Sequence, residues 1–364
     1  GERFVMNLGY VGTRVVRQLT GYTLDAAPLP SGSTLCMANG QYNPSSPYFL
    51  HPLGSNPCSF QANTLINTSN CAGASNPVCY NTGGITMNAP AFSANYNGLQ
   101  AQLTRVAGRS AQFGLVYTWS KAIDYEDNGA GSGSAGTSFS YPAYFYLNRG
   151  LAGYNRTNNI QFWGIYNLPF GAGQRWANSG VASWIFGGFQ LNGQLSHISG
   201  APFSVSPSSN TVNSPGNGLF AQMVKPYHQV GGHNRTPGNG AVSGGKPWFD
   251  PTSFVNPTEP TYTKTELPSD IVSPSFSNTM RNEFTGPGQT YINASIFRSF
   301  HVWRETAFQV RFEAFNVLNQ PILTLSSNSG NTTVGSSTFG YITTFGTTSP
   351  GAPRVLQFSG RFNF

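Results

Sequence analysis

The sequence has few charged side chains. Only 9% of its 364 residues are Asp, Glu, Lys or Arg, against about 25% in an ordinary soluble domain. The formal net charge of +7 reflects a shortage of acids, and the Lys and Arg residues are scattered along the chain. Because nucleic-acid binding needs a concentrated basic surface, the composition predicts no nucleic-acid partner.

Long apolar runs are absent too. No stretch of the sequence approaches the ~18 consecutive apolar residues of a membrane helix, so any membrane-spanning part must be a β-barrel. The chain begins GERFVM, with neither an initiator Met nor a signal peptide. We therefore expect it to be a piece of a longer precursor.

Catalytic motifs are also missing. The sequence contains no HExxH pair and no GxSxG nucleophile elbow, which mark zinc peptidases and serine hydrolases. GSGSAG at 131–136 matches GxGxxG, but TSFSYPAY follows, whereas a nucleotide fingerprint must open a helix. We expect no enzymatic activity and no cofactor, because the five histidines are dispersed: His51, His197, His228, His233 and His301.

Three carboxylates lie close together at Asp124, Glu126 and Asp127. Such a group can bind Ca²⁺, but the one-three-five-twelve spacing of a calcium loop is absent. The sequence therefore predicts solvated loop charge at this position and no metal site.

The strongest feature that is present is an alternation of apolar and polar side chains. In the terminal RVLQFSGRFNF, residues Leu356, Phe358 and Phe362 share one face with Gly360 and Phe364. A period of two is typical of strands. The same pattern predicts eight strands in all, in RFVMNLGYV, NGLQAQLTR, AQFGLVYTWS, NIQFWGIYNL, FQLNGQLSH, YINASIFRSF, ETAFQVRFEAF and the terminal segment.

The connections between these strands alternate in length. Short ones fall near 107–110, 169–185 and 302–304, and long ones at about 13–94, 122–156, 199–289 and 317–353. Short periplasmic turns and long extracellular loops are the layout of an outer-membrane barrel. The sequence thus predicts an all-β fold, an antiparallel transmembrane β-barrel segment in the bacterial outer membrane with lipid around it.

Two arginines, Arg105 and Arg298, fall on the apolar face of their predicted strands. Both lie beside a predicted periplasmic turn, where a long side chain can extend into the headgroup region at small cost. We therefore expect both at the membrane interface.

The polar faces of the last two strands carry the candidate lumen-facing residues. One interpretation is that they line a substrate path, and the other is that they hold a plug or one another within the wall, as is ordinary for such barrels. These residues are Gln309, Arg311, Glu313, Gln357 and Arg361.

All four cysteines, Cys36, Cys58, Cys71 and Cys79, fall in the first long loop. An even number of cysteines outside the cytoplasm indicates disulfides, and four allow three pairings. We favour Cys36 with Cys58 and Cys71 with Cys79, because these pairs close short loops. The rival interpretation is a metal site, but the spacing has no CxxC unit and only His51 is near.

Several segments resemble, in order, the C-terminal portion of Oar-like TonB-dependent receptors: NYNGLQAQLTR (95–105), FGLVYTWSKAID (113–124), IYNLPFGAGQRW (165–176), GGFQLNGQLSHISGAPFSV (187–205), RFEAFNVLNQP (311–321) and Phe364. That family consists of large outer-membrane proteins with a carboxypeptidase-regulatory-like N-terminal domain, a plug and a barrel of about 22 strands. The resemblance implies that an extracellular ligand is captured and imported with energy from the TonB complex. It also implies that the C-terminal strand, ending in Phe364, is the signal for the barrel-assembly machinery.

The TonB box, the plug and the N-terminal domain of such receptors have no counterpart in the sequence, so we expect the fragment not to transport alone. A self-contained eight-stranded barrel acting as an adhesin and a secreted β-rich hydrolase remain as alternatives. The segment KPWFDPTSFVNPTEP (246–260) has aromatic residues that either contact an extracellular ligand or pack within the loop.

Overall fold

One antiparallel sheet dominates the computed structural model, which describes residues 3–23, 37–38, 41–42, 86–106, 110–126, 142–208, 220–231, 246–257, 277–303, 306–325, 330–345 and 353–364. Eight long strands follow one another in chain order across it, and the two-residue strand Gly150–Leu151 pairs beside β3. The eight are β1 (Arg3–Thr23), β2 (Thr86–Val106), β3 (Ala111–Asp124), β4 (Asn158–Asn167), β5 (Phe189–Ile198), β6 (Gln289–Trp303), β7 (Thr306–Phe315) and β8 (Val355–Asn363). The predicted all-β antiparallel architecture is confirmed.

The register of the ladders collects the apolar side chains on one face. Leu103 pairs with Leu115, which pairs with Phe162, and the row continues through Leu195 to Ile292. A slip of one residue in any strand would move its apolar set to the other face, so this pattern fixes the register.

No second layer from the described residues covers the apolar face of the sheet. Leu8 on β1 is 66% exposed and Phe358 on β8 is 73% exposed. These side chains therefore do not meet one another across a dry interior, which is what a soluble sandwich would require.

Within the described residues, the first and last strands are edges. β1 pairs with β2 alone and β8 pairs with β7 alone. β1 continues to Thr23 and β2 begins at Thr86, with a register shift beside Arg17, whose φ is 58°. The first long connection therefore covers 24–85, and is shorter than the predicted 13–94 because the hairpin stays paired beyond the part with clean alternation.

The connections divide between two ends of the sheet. The short-turn end carries 107–110, 168–188 and 304–305, and the long-loop end carries 24–85, 125–157, 199–288 and 316–354. The connection 168–188 contains the helix α1 (Gly180–Phe186), where the sequence predicted only a turn. No helix among the described residues is long and apolar enough to cross a membrane.

The hydrophobic core lies in the long loops instead of the sheet. We call the described parts of 199–288 and 316–354 the loop cap. Its short strands pair Pro202–Phe203 with Phe284–Thr285, Gln222–Met223 with Phe254–Val255 and Leu323–Thr324 with Thr344–Phe345, and a 3₁₀ helix spans Pro251–Ser253. The core residues are Phe203, Val205, Ala221, Trp248, Phe249, Phe254, Phe284, Val334 and Phe339.

Two further short elements belong to the other long loops. The first loop contains the paired strands Met37–Ala38 and Gln41–Tyr42. The loop between β3 and β4 contains a 3₁₀ helix, Pro142–Asn148.

Candidate functional site

The apolar face is nearly as tall as the apolar band of an outer-membrane barrel. On β2, Asn97 and Arg105 point to this face, and the residues with the same orientation between them are Leu99, Ala101 and Leu103. Eight residues at about 3.3 Å each span ~26 Å along the strand, or ~20 Å at a tilt of ~40°. This approaches the ~25 Å apolar band of outer-membrane barrels.

β6 repeats the arrangement between Thr290 and Arg298, with Ile292, Ala294 and Ile296 between them. At the long-loop end the polar groups of this face satisfy one another. Thr290 Oγ1 lies 2.6 Å from His197 Nδ1. The apolar band therefore has a hydrogen-bonded polar border at one end and arginines at the other.

The two arginines occupy the apolar face, as the alternation predicts. The Cζ atom of Arg105 lies 5.8 Å from the ring centre of Phe4 and 5.9 Å from that of Phe113. Arg298 lies 4.4 Å from the ring centre of Phe300. Cation–π contacts of this kind stabilise a guanidinium beside apolar surface, which is consistent with the predicted interfacial position.

The five lumen-facing candidates come together on the opposite face of β7 and β8. Gln309 pairs with Arg361 and Glu313 with Gln357 in the ladder. Arg311 Nη1 lies 3.6 Å from Glu313 Oε1. This ion pair supports the wall-holding interpretation of those two residues, while the substrate-path interpretation stays a prediction.

Amides and hydroxyls dominate the rest of this polar face. Gln161 Nε2 donates hydrogen bonds to Asn159 Oδ1 at 2.8 Å and Ser196 Oγ at 2.7 Å, and Gln309 Nε2 donates to Ser299 Oγ at 3.3 Å. Such groups favour contact with water, so the sheet separates an aqueous side from an apolar one.

A buried ion pair joins the loop cap to the long-loop end of the sheet. The Arg281 guanidinium donates to the Asp124 carboxylate, and also to the backbone oxygens of Asp124 and Asn148 at 2.8 Å each. The side chains of Arg281 and Asp124 are 8% and 3% exposed. A side chain at Gly150 would bring its Cβ to 1.9 Å from the Arg281 carbonyl oxygen, so only glycine fits there.

The prediction of solvated charge was wrong for Asp124 and Glu126, which are 2% and 5% exposed, whereas Asp127 lies outside the described residues. The charge of Asp124 is balanced by Arg281, a partner that sequence reasoning missed and that no local pattern marks. Among the described residues, no group of three or more His, Cys, Asp or Glu side chains is arranged to hold a metal.

Aromatic packing holds the loop cap together. Phe249, which is fully buried, lies with its ring centre 5.7 Å from Phe203 and 5.3 Å from Phe339. Phe249 thus joins both long loops in one core. For residues 246–257 the loop-packing interpretation is correct, since Trp248 and Phe254 belong to the same core.

Two side chains in the loop cap have shifted pKa values. Burial raises the pKa of Tyr227 to about 12. The pKa of Asp250 is lowered, because its carboxylate accepts hydrogen bonds from Thr252 N and Thr252 Oγ1, both at 2.9 Å. Asp250 thereby caps the N-terminus of the 3₁₀ helix Pro251–Ser253, which follows Phe249 in the chain.

The segment FNVLNQP owes its composition to a turn at the end of β7. Asn316 and Asn319 both have a φ of 51°, a left-handed conformation that Asn tolerates better than most residues. Asn316 Nδ2 donates to Gln320 O at 3.0 Å, and Asn319 Oδ1 accepts from Arg354 N at 3.0 Å. The motif therefore has a structural role in bringing β8 back to β7.

Some predicted features lie outside the described residues. All four cysteines lie outside them: Cys36, Cys58, Cys71 and Cys79. The disulfide pairing and the alternative metal site therefore both stay predictions. The GSGSAG stretch at 131–136 lies outside the described residues as well. Phe364 follows the last paired residue of β8 and is 98% exposed.

Comparison with known proteins identifies a family for this chain. A family model described as an outer membrane beta barrel domain matches residues 1–357. No curated protein and no solved structure matches the chain. The match covers nearly the whole sequence and agrees with the antiparallel sheet and its apolar band, so the chain belongs to the outer membrane beta barrel domain family, whose place is the bacterial outer membrane.

Proposed function

We propose that the chain forms part of the wall of a larger outer-membrane receptor of the Oar-like, TonB-dependent kind, which captures a ligand at the cell surface and passes it inward. The observation that carries this proposal is the pair of sheet edges. β1 and β8 each have a ladder on one side alone within the described residues.

A bilayer makes such edges costly. Each backbone amide left unsatisfied in hydrocarbon costs several kcal/mol, so a spanning sheet must close. Closure through additional strands would satisfy both edges and would leave a lumen wide enough for cargo, whereas eight strands alone enclose an interior filled by side chains. This favours the larger barrel.

The two faces and the two ends suit a receptor. The amide-rich face would line the lumen, and the loop cap would stand on the extracellular side, because long loops face outward in such barrels. The partners would be outer-membrane lipid, an unidentified extracellular ligand, the TonB complex through an N-terminal part and the barrel-assembly machinery through β8 and Phe364. We propose no enzymatic role.

Two measurements on the protein extracted with detergent from native outer membranes test this proposal. We expect it to be retained by the immobilised periplasmic domain of TonB, and to change its electrophoretic mobility on heating as a closed barrel does. Failure to bind TonB, or release of the protein from membranes by salt alone, would count against the receptor.

The second candidate is a surface adhesin. The loop cap favours it, because a core of its own allows this part to present a binding surface without transport. If the chain alone, secreted behind a signal peptide, closed into a heat-modifiable barrel and bound cells or matrix, the adhesin would replace the receptor.

A further inference from the structure

Helix α1 exposes its apolar side chains. None of its seven residues is buried. Val181 is 72% exposed, Trp184 70% and Phe186 56%, and Trp176, shortly before the helix, is 52% exposed. The described chain therefore leaves much of the apolar surface of this short helix uncovered, and the helix carries no charge of its own.

The sheet of eight long strands, which we call the wall, holds α1 through hydrogen bonds on the apolar face of the sheet. Arg298 Nη1 donates to the carbonyl oxygens of Trp184 at 2.5 Å and Ile185 at 2.9 Å, in the last turn of α1. A cation at the C-terminal end of a helix is stabilising, because that end of the helix dipole carries partial negative charge. Since Arg298 extends from the apolar face of β6 and its Cζ lies 5.6 Å from the Phe189 ring centre, α1 must lie at the lipid-facing surface.

The connection that contains α1 carries one positive charge and no acid. The whole connection 168–188 contains Arg175 and neither Asp nor Glu. At the short-turn end of the sheet, between α1 and the strand ends, is a cavity of about 750 Å³. Asn178, Ser183, Trp184, Phe189 and Arg298 line it, and Asn167 and Ser299 border it from the polar face at the strand ends. Its chemistry matches a phospholipid at the level where headgroup meets acyl chain.

We propose that α1 is an in-plane membrane anchor, with its apolar side chains in the acyl-chain boundary and a phospholipid headgroup in the cavity beside Arg298. Amphipathic elements that combine Trp and Phe with basic residues bind the membrane interface in this way. The occupant is a phospholipid because the helix continues the lipid-facing surface of an outer-membrane barrel at its short-turn end, which faces the periplasm. Arg298 then has two roles. It donates hydrogen bonds to α1, and it supplies the positive charge that binds the phosphate of the lipid headgroup.

Quenching of tryptophan fluorescence by brominated lipids tests the anchor. The protein is reconstituted in vesicles of phosphatidylglycerol and phosphatidylethanolamine, with bromine either near the headgroup or near the end of the acyl chain. The Trp184 signal is the difference between the protein and Trp184→Phe. We expect it to be quenched about twofold or more strongly by the shallow bromine, as for a helix in the interface. Trp248, isolated in the same way by Trp248→Phe, should be unaffected, since it is buried in the loop cap.

Two arginine variants separate the anchor from general effects on the membrane. Arg298→Gln should lower the shallow quenching of Trp184 about threefold or more, because the charge-assisted hydrogen bonds to α1 are lost, and Arg298→Lys should restore part of it. Arg105→Gln is the matched control, since Arg105 lies on the same face but on β2, where its guanidinium lies over the rings of Phe4 and Phe113. The proposal is overturned if Trp184 is not quenched, or if Arg105→Gln and Arg298→Gln have equal effects while heat-modifiability shows both variants folded.

Discussion

Arg281 and Asp124 are 157 residues apart in the chain and form a buried ion pair where the loop cap meets the end of β3. Neither charge can return to water without opening this contact. The pair therefore couples the stability of the cap to that of the sheet.

We expect Arg281→Ala to destabilise the attachment of the loop cap by roughly 3–5 kcal/mol, because it leaves the Asp124 carboxylate buried without its counter-charge. Proteolysis of the cap in detergent-solubilised protein measures this loss. The matched control is Arg149→Ala, which removes an exposed arginine whose hydrogen bond to Asn95 Oδ1 is 3.3 Å long and should cost less than ~1 kcal/mol. Equal protease sensitivity in the two variants would contradict the coupling.

The core of the loop cap gives a second prediction. Phe249→Ala should cost about 3–5 kcal/mol through lost burial and a residual cavity, and should make both 199–288 and 316–354 sensitive to protease. The wall should keep its heat-modifiable mobility on electrophoresis. Phe358→Ala, at a site 73% exposed on the apolar face, should leave the cap resistant. Loss of only one loop in Phe249→Ala would mean that the two loops do not share a core.

Neighbouring residues on β2 test which face meets lipid. Ala101 lies in the apolar band and Gln102 on the polar face. Ala101→Arg should destabilise the inserted barrel by about 2–4 kcal/mol, the cost of an arginine near the bilayer midplane, whereas Gln102→Arg should be tolerated. Denaturant unfolding in phospholipid vesicles measures both variants. The assignment of the faces would be reversed if Gln102→Arg were the more harmful.

The pKa of Tyr227 predicts alkaline loosening of the cap. The folded pKa of about 12 exceeds the unfolded value of about 10, so the contribution of the neutral phenol is complete below pH ~10 and is lost as pH rises toward 12. Ultraviolet absorbance of tyrosinate follows this ionisation as the difference between the protein and Tyr227→Phe. A difference spectrum that titrates near the ordinary pKa would show that Tyr227 is not buried in the folded cap.

Alternation made the wall predictable from the sequence. Each wall strand meets water on one side and lipid on the other, so the period of two in segments such as 95–105 and 306–315 encodes both the faces and the register. Even the exceptions, Arg105 and Arg298, fall where the pattern predicts. These are local signals, readable one strand at a time.

The loop cap and the ion pair have no such local signal. Phe203, Phe249 and Phe339 come from segments far apart in the sequence and without a common period, so their shared core becomes visible only when the loops fold. Asp124 resembled a solvated charge because its partner lies 157 residues away. Helix α1 was predicted as a turn because its seven residues are too few for a helical period to stand out.

The shared core of the loop cap also constrains how such a surface can diversify. Exchanging 199–288 for the loop of a relative would remove Phe249 and Phe254, which pack on Phe339, and exchanging 316–354 would remove Phe339 from both of them. A change of surface chemistry would therefore require both segments to be replaced together, as one unit, while the wall beneath could stay unchanged.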